Sequence, residues 1–541
     1  MTLAGRTGLA LRVVAMLALC GSLGAPAWGQ ATPPAAPAPA ALPVVIYTKD
    51  NAPKAPKLEA LPLKESVSQY GITWTFEKPA RVGQFINGDF YVVGATTVKM
   101  IDPKPLFGDE VKDTIDKGEV KESGYRGKEA RNGSSLNPTV TQEKGGFDSR
   151  IPARRYDPEL FSHLPIAMKP GDSLVSSISR PTSALKAFDG QHVDPLQVAA
   201  VLTCLADPQP ADAFRPSYCD SANSKIYLAR NLHRDLFLSL PRIAGMPEDL
   251  AAYAAGFQKP WLDLVQFGFA APVQNLPHYG QQMVEKLGSA SLLLLSDYPA
   301  AEKEALLVNM TQAGIDFWGL VRGGRTWGAH GGLNSGRKWL IIQAGLYLGD
   351  EDLQSPNKKY PKTKFHEDDQ TAFGPVTFKG KTYERSWSGA KAIFMGHSPG
   401  LIDKMASHWA DGWGPVDLFD PNEWPKPGML TASTSYRLSN TSGAWVGEAL
   451  AARMMHAEKV WDHDAFFAYV DRWMTEDDMP FVLAMKAAGR GDQTGRKPGE
   501  YLRSAYVSSA QWVKDMWLKY RDNLPPSKDG TKTPKSTETW K

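Results

Sequence analysis

The pattern of apolar and polar positions divides the chain into a short β-type part and a long helical part. Between residues 70 and 102, β-branched and aromatic residues alternate with polar ones, and the run Asn87-Gly88-Asp89 is a turn signal. This predicts two or more strands joined as a hairpin. From about residue 194 to about 520, apolar residues recur at helical spacing. The candidate helices are 194–206, 225–240, 247–266, 280–295, 299–321, 335–348, 388–408, 442–456, 464–474, 479–488 and 501–522.

These candidate helices are of two kinds. Some, such as 335–348, are apolar nearly all round, as inner helices must be, whereas 299–321 is amphipathic and should lie outside. Buried helices that follow loops rich in Gly, Asn and Pro favour helical hairpins in which inner helices are ringed by outer ones. The pattern therefore predicts a mainly α protein, an (α/α) toroid or incomplete barrel, with a small β-rich N-terminal segment.

Composition predicts how the chain is organised. Arg6 and Arg12 precede a short apolar run and a plausible cleavage point, which is typical of a secretory signal. Cys20 resembles a lipoprotein site, but Leu precedes it, so we expect a periplasmic or secreted protein with no membrane association after signal cleavage. The predicted segments are a signal peptide (1–30), an Ala/Pro-rich linker (31–60), a β-rich segment with cleft-wrapping loops (61–160), the toroid domain with the catalytic site (161–522) and a disordered tail (523–541).

Charge and cysteine content narrow the class of ligand. The 61 basic and 58 acidic residues give a net charge of +3, which argues against a general nucleic-acid or membrane-surface binder. Cys204 and Cys219 remain after signal cleavage, and in an exported protein such a pair most simply forms a disulfide. Two free thiols are the alternative. A zinc site is not expected, because no second cysteine pair completes four ligands.

A glycine-rich stretch, residues 322–348, contains the most distinctive candidate site. Its loop carries cationic, amide and aromatic side chains immediately before a predicted buried helix, and glycine lets another molecule approach closely. Side-chain donors at a helix N-terminus suit an acidic ligand. The candidate residues are Arg322, Arg325, Trp327, His330, Asn334, Arg337 and Lys338.

Two further loops precede predicted inner helices and should meet this one at the same mouth. One carries Asn275, His278 and Tyr279, and the other carries Tyr436, Arg437 and Asn440. The set lacks a clear pair of carboxylates, which glycoside hydrolysis needs. Eliminative cleavage of a uronate instead needs a group that holds the C6 carboxylate, a Tyr, His or Lys base, and an acid for the departing O4. The run His366–Asp369 could bind a divalent cation, although a solvated or helix-capping role is commoner.

Several segments together resemble polysaccharide lyase family 38: ITWTFEKPARVGQFINGDFYVVG, GGFDSR, GGLNSGRKWLIIQAGLYLGDE and YRLSNTSGAWVGEALAARMM. Members of that family are secreted (α/α)-toroid enzymes acting on β-1,4-glucuronan, including cellouronate, or on alginate. The resemblance implies a Tyr/His pair and no cofactor. The family's His and Tyr best fit His330 and Tyr383, although a lysine stands where the family has an arginine before the Tyr, so Tyr279 and Tyr436 are alternatives.

We therefore predict an exported lyase that cleaves a β-1,4-linked polyuronate, with glucuronan or cellouronate preferred over alginate. Its partner is an acidic polysaccharide and not nucleic acid. Alternatives are a glycoside hydrolase using carboxylates such as Asp235, Glu367, Asp368 or Asp411, and a carbohydrate-binding protein without turnover. The predicted catalytic residues are Tyr383, His330, Arg325 and Asn275, and the predicted substrate-binding residues are His278, Tyr279, Trp327, Asn334, Arg337, Tyr436 and Arg437.

Overall fold

A large β-sheet and a group of buried helices make up the fold, with 35% of the chain in helix and 20% in strand. The computed structural model describes residues 45–112, 127–140, 144–151, 155–181, 195–265, 277, 279–396, 414–420, 423, 440–477, 479–480, 483, 487, 510–524, 526–527 and 530–541. The predicted signal peptide and most of the predicted linker lie outside these residues.

The sheet is mixed and nearly closed. Seven strands follow one another in the order β7-β9-β10-β3-β2-β4-β8, and an eighth, β1, pairs with β2. Among the described residues of this sheet, β10 runs parallel to β3 and the other strand pairs are antiparallel. The strands are β1 (Leu63–Gln69), β2 (Ile72–Gln84), β3 (Phe90–Val93), β4 (Thr96–Asp102), β5 (Leu106–Phe107), β6 (Ala130–Arg131), β7 (Ser134–Leu136), β8 (Ile166–Met168), β9 (Ser173–Ser179) and β10 (Leu196–Leu205).

The hairpin predicted near Asn87 is present. β2 and β3 are joined by residues 85–89, where Phe85 N donates to Asp89 O at 2.9 Å and Gly88 has a φ of 88°. Burial alternates along the first half of β2, so Ile72, Trp74 and Phe76 face the core of the sheet. The polar and apolar alternation in the sequence therefore predicted this part correctly.

β10 corrects one predicted helix. Residues 194–206 were expected to be helical, but Leu196–Leu205 form a strand that is buried along almost its whole length. A strand buried on both faces shows a continuous apolar run, which periodicity alone does not distinguish from a buried helix. The expected domain boundary at residue 160 consequently falls inside the sheet, because β8, β9 and β10 follow it.

The helices of the second half match several predicted segments. Gly336 has a φ of 87° immediately before α5, and Gly349, with a φ of 65°, ends it, so glycines in the left-handed region mark both boundaries. The helices are α1 (Asp109–Lys112), α2 (Ala251–Gln258), α3 (Gly280–Leu294), α4 (Ala300–Arg322), α5 (Arg337–Leu348), α6 (Glu351–Gln354), α7 (Pro356–Lys359), α8 (His366–Asp369), α9 (Val446–Met454), α10 (Glu458–Trp461), α11 (Asp464–Thr475) and α12 (Gln511–Tyr520). Short 3-10 turns are Leu58–Ala60, Pro158–Leu160, Ser221–Asn223, Ala229–Asn231, Arg234–Leu236, Val416–Leu418 and Arg521–Asn523.

The mainly α toroid expected from the sequence is wrong, because the large mixed sheet is a principal part of the fold. A buried ion cluster joins the sheet to the helices. Arg215 is fully buried and pairs with Asp89, next to β3, at 2.5 Å and with Asp316, on α4, at 2.6 Å. Small two-stranded pairs also lie outside the large sheet: β5 with β6, β11 (Thr371–Phe373) with β14 (Ala392–Phe394), and β12 (Val376–Phe378) with β13 (Lys381–Tyr383).

Cys204 and Cys219 are free thiols, so the predicted disulfide is wrong. Cys204 lies within β10 and packs in the core of the sheet, whereas Cys219 packs in the separate core of the helices. The short sequence distance between the two therefore does not bring their side chains together.

Residues 530–541, expected to be disordered, pack back onto α11. The Trp540 indole donates to Thr475 Oγ1 at 2.9 Å, and Thr539 Oγ1 donates to Asp471 Oδ2 at 2.9 Å. Trp540 is buried as a result. Within the described part of the chain, no helix has both the length and the apolar character needed to cross a bilayer.

Candidate functional site

Three loops meet at the hydroxyl of Tyr279. Tyr279 precedes α3, and its oxygen accepts a hydrogen bond from Gly332 N at 3.2 Å and a long one from Asn440 Nδ2 at 3.5 Å. Gly332 belongs to the loop before α5, and Asn440 belongs to the segment before α9. We call this arrangement, formed by Tyr279, residues 328–336 and Asn440, the three-loop site. The predicted meeting of three loops that precede buried helices is thus present.

Glycines permit the close approach of these loops. A Cβ atom on Gly332 would lie 2.2 Å from Asn440 O, and one on Gly280 would lie 2.3 Å from Gly332 O. Both contacts are to backbone atoms, so a side chain at either position would force the loops apart. The glycines that suggested close approach of a ligand therefore serve the contact between the loops themselves.

The short helix α8 supports the loop 328–336 from beneath. Its residues accept from loop backbone amides: His366 Nδ1 from His330 N at 3.4 Å, Glu367 Oε1 from Gly336 N at 2.6 Å, and Asp369 Oδ2 from Ala329 N at 3.2 Å. Gln370, just after the helix, donates to Gly331 O at 3.1 Å. The run His366–Asp369 is therefore a support for the loop. No group of three or more His, Cys, Asp or Glu residues with metal-binding geometry occurs in the described residues.

The polar side chains of the three-loop site that solvent reaches are half-buried. They are Tyr279, His330 and Asn440. Gly332 N and Asn440 Nδ2 both point at the phenol oxygen of Tyr279, and donors in that position stabilise the negative charge that forms when a phenol gives up its proton. A tyrosine and a histidine on neighbouring loops are suitable for moving a proton, and the amide of Asn440 adds a neutral donor.

Arg325, Trp327 and Arg337, expected to contact a ligand, are instead buried around Asp263. The Trp327 indole donates to Asp263 Oδ2 at 2.7 Å, Arg337 Nε donates to the same oxygen at 3.0 Å, and Arg325 Nε donates to Asp263 O at 3.0 Å. Trp327 is fully buried, stacked between Phe317 and Phe365. This cluster anchors the loop, and its cations neutralise a buried carboxylate of the protein.

Other cationic and amide side chains of residues 322–348 also pair with groups of the protein itself. Asn334 is buried and donates to Gly328 O at 2.7 Å. Lys338 is buried and pairs with Asp368 at 2.5 Å. Arg322 forms an ion pair with Asp220. Most of the donors that the sequence suggested for an acidic ligand are therefore paired within the protein.

Tyr383, expected to be the base, lies in the β12–β13 pair. Its ring centre is 5.2 Å from that of Phe419, and Lys381 Nζ lies 4.9 Å from its ring centre. It belongs to a small apolar cluster with Val376 and Leu418. Partial burial and the charge of Glu423 raise the pKa of its hydroxyl, which is the opposite of what a tyrosine base requires. Tyr383 is therefore a poor candidate for proton abstraction.

Four of the expected site residues lie outside the described part of the chain. Asn275 and His278 were expected on the first loop, and Tyr436 and Arg437 on the third.

A pair of buried carboxyl groups, Glu367 and Glu448, lies beneath the site. Both side chains are wholly buried, and Glu367 Oε2 and both Glu448 oxygens have no hydrogen-bond partner among the described residues. Burial raises the pKa of Glu367 to about 7, and burial with the nearby charges of Glu367 and Asp368 raises the pKa of Glu448 well above its usual range. Glu448 was not among the expected residues. The single acidic residue in the mostly apolar run AWVGEALAARMM was the signal that could have found it.

Comparisons with known proteins find no match: no family model, no curated protein and no solved structure is similar to this chain.

Proposed function

We propose that the protein is an exported polysaccharide lyase that cleaves a β-1,4-linked polyuronate by β-elimination at the three-loop site, with glucuronan or cellouronate as preferred substrate. Tyr279 is the base, in place of Tyr383, and His330 is its partner. The observation that carries the proposal is the hydroxyl of Tyr279, which accepts N–H donors from the two neighbouring loops beside His330.

The reaction needs one proton to move between two atoms of the substrate. The Tyr279 oxygen removes the proton from C5, the C4=C5 double bond forms, and the C4–O4 bond breaks. The same hydroxyl then gives the proton to the departing O4, so that the tyrosine is restored. His330 and Asn440 are the half-buried groups at hand to interact with the C6 carboxylate, which makes the C5 proton more acidic.

The buried carboxyl pair does not favour a glycoside hydrolase. Such enzymes place two carboxyl groups on either side of the scissile bond. Glu367 and Glu448 have raised pKa values, as a general acid does, but both side chains are 0% exposed. A sugar bound at the three-loop site does not touch them. Glu367 supports the loop that carries His330, because its Oε1 accepts a hydrogen bond from Gly336 N.

The test compares two tyrosine variants on glucuronan, cellouronate and alginate, with the ultraviolet absorbance of unsaturated uronate ends as readout. Tyr279→Phe should lower the rate by roughly 10²–10⁴-fold, the usual contribution of a positioned acid–base group. Tyr383→Phe is the matched control and should keep the wild-type rate. Thermal melting of both variants checks that the fold is intact.

Two results would contradict the proposal. One is the absence of an absorbance rise on all three polymers with the wild-type protein. The other is full activity of Tyr279→Phe. A rise in reducing ends without absorbance would instead indicate hydrolysis.

A further inference from the structure

A cavity of about 520 Å³ lies at the end of α9 opposite the three-loop site. α9 begins at Val446 near that site. Arg453, in its last turn, and His456, just beyond its end, line the cavity. With a rise of 1.5 Å per residue, a nine-residue helix separates the two places by roughly 12 Å. The cavity is therefore a separate place on the molecule, and its volume lies in the range of small-ligand sites.

The positive charge at the floor of the cavity belongs to Arg453, which is held in place and neutralised by carboxylates of the protein. Arg453 is buried, pairs with Asp471 at 2.7 Å and with Glu458 at 3.3 Å, and lies over the ring of Phe467. Phe467 is itself buried. These contacts leave Arg453 little capacity to bind a ligand, so the specificity of the cavity depends on its walls.

The walls carry two lysines that have no carboxylate partner in the described part of the chain. Lys391, beside β14, and Lys532, in the C-terminal segment, form no ion pair with a described residue. Lys391 Nζ lies 5.8 Å from the ring centre of Phe373, which is 37% exposed and also lines the cavity. A cation beside an exposed aromatic ring suits a ligand that has both an anionic group and an apolar ring face. The cation can bind the anionic group, and the aromatic ring can pack against the apolar face.

Hydroxyl and carboxylate groups complete the walls. Ser527, Thr531, Thr533 and Thr539 supply hydroxyl groups, and Asp464 and Glu538 supply carboxylates. Carboxylates repel a multiply charged phosphate, but they accept hydrogen bonds from the hydroxyl groups of a sugar. The lining thus suits a ligand with three features: hydroxyl groups, an apolar ring face and a single negative charge. A uronic acid has all three.

We propose that this cavity is a second binding site, and that it takes a short uronate oligosaccharide with its carboxylate at Lys391 and Lys532. The choice of a uronate over other acidic sugars rests on the proposed function. Ser527 and several residues between 531 and 539 form one wall, so occupancy of the cavity should hold residues 530–539 against α11.

Hydrogen–deuterium exchange of the backbone amides of residues 530–539 measures this occupancy. The probe is the β-1,4-linked disaccharide of glucuronic acid, added to the Tyr279→Phe protein so that it is not consumed. Cellobiose is the matched uncharged probe and inorganic phosphate the matched non-sugar anion. We expect the diglucuronate to slow exchange in this segment, and cellobiose and phosphate at the same concentration to have little effect.

Two variants test whether the diglucuronate slows exchange by binding in this cavity. Lys391→Ala combined with Lys532→Ala should weaken the diglucuronate effect on the order of tenfold, because each exposed ion pair contributes modestly. Lys535→Ala is the control, since Lys535 is exposed and does not line the cavity, and it should behave as the parent protein. Melting temperatures confirm that the lysine variants are folded.

The proposal is overturned if the diglucuronate does not slow exchange, if cellobiose or phosphate acts equally well, or if the double lysine variant responds like its parent. Failure of the proposed function is seen separately, in the absorbance assay. Lyase activity without slowed exchange rejects only the second site, and slowed exchange without lyase activity rejects only the enzyme.

Discussion

Glu367 and Glu448 should make the folded protein less stable as the pH rises. Burial raises the pKa of Glu367 from 4.5 to about 7. A carboxyl group with a raised pKa binds its proton more tightly in the folded state. Its contribution to stability is therefore complete below pH 4.5 and is lost as the pH rises through about 7. At roughly 1.36 kcal/mol per pKa unit, the Glu367 shift alone corresponds to about 3 kcal/mol of unfolding free energy.

The perturbation that tests this is Glu448→Gln. Glutamine has nearly the same shape but does not ionise, so it removes one titrating group and the negative charge that would face Glu367. The variant should lie within about 1 kcal/mol of wild type at pH 5, where both carboxyl groups carry protons. At pH 8 it should be more stable than wild type, because unfolding of the variant no longer frees the Glu448 carboxyl group to ionise in water.

Chemical denaturation at pH 5 and at pH 8, followed by the fluorescence of the 16 tryptophans, measures both quantities. Glu65→Gln is the control, since Glu65 is exposed on β1, and it should keep the pH dependence of the wild type. If Glu448→Gln loses as much unfolding free energy between pH 5 and pH 8 as the wild type does, the reasoning about the buried pair is refuted.

Three further predictions follow from close contacts and burial. Gly332→Ala should destabilise the protein by about 1–3 kcal/mol in denaturation, because the added methyl group would lie 2.2 Å from Asn440 O; unchanged stability would show that the loops can separate. Asp263→Ala leaves two buried arginines without their carboxylate and should cost about 3–5 kcal/mol; a smaller loss would mean that the backbone oxygens alone hold them. Burial raises the pKa of Cys204 and of Cys219 to about 12, so Ellman's reagent should react with them only after unfolding, and a reductant should leave the melting temperature unchanged. A fall in melting temperature on reduction would instead reveal a disulfide.

The sequence was informative where the pattern was local. Alternation and a turn signal located the hairpin of β2 and β3, and helical spacing located α3, α4 and α5 within a few residues. Local signals did not reveal the sheet as a whole. β10 pairs with β3 although more than one hundred residues separate them, and nothing in the run LQVAAVLTCL distinguishes a buried strand from a buried helix. The fold class was therefore predicted incorrectly.

In the candidate site, too, local patterns predicted some features, and contacts between distant residues determined the others. Three polar loops before buried helices predicted the meeting of Tyr279, the loop at 328–336 and Asn440, because such loops gather where the helices begin. The role of each side chain depended on a partner far away in the sequence. Asp263 binds Arg325 and Arg337, and Asp368 binds Lys338, so these cations are not exposed to a ligand. Composition gives no information about such pairing.

The parallel pairing of β3 with β10 limits how the chain can be divided for separate production. A fragment that ends before Leu196 leaves a row of unpaired amides and carbonyls along β3, which is a template for aggregation. A fragment that begins after β10 lacks Asp89, and buried Arg215 then loses one of its two carboxylates. Neither half is expected to be soluble alone. The two halves synthesised together in one cell should reassemble, and the shortest self-sufficient piece contains both the sheet and the helices that follow it.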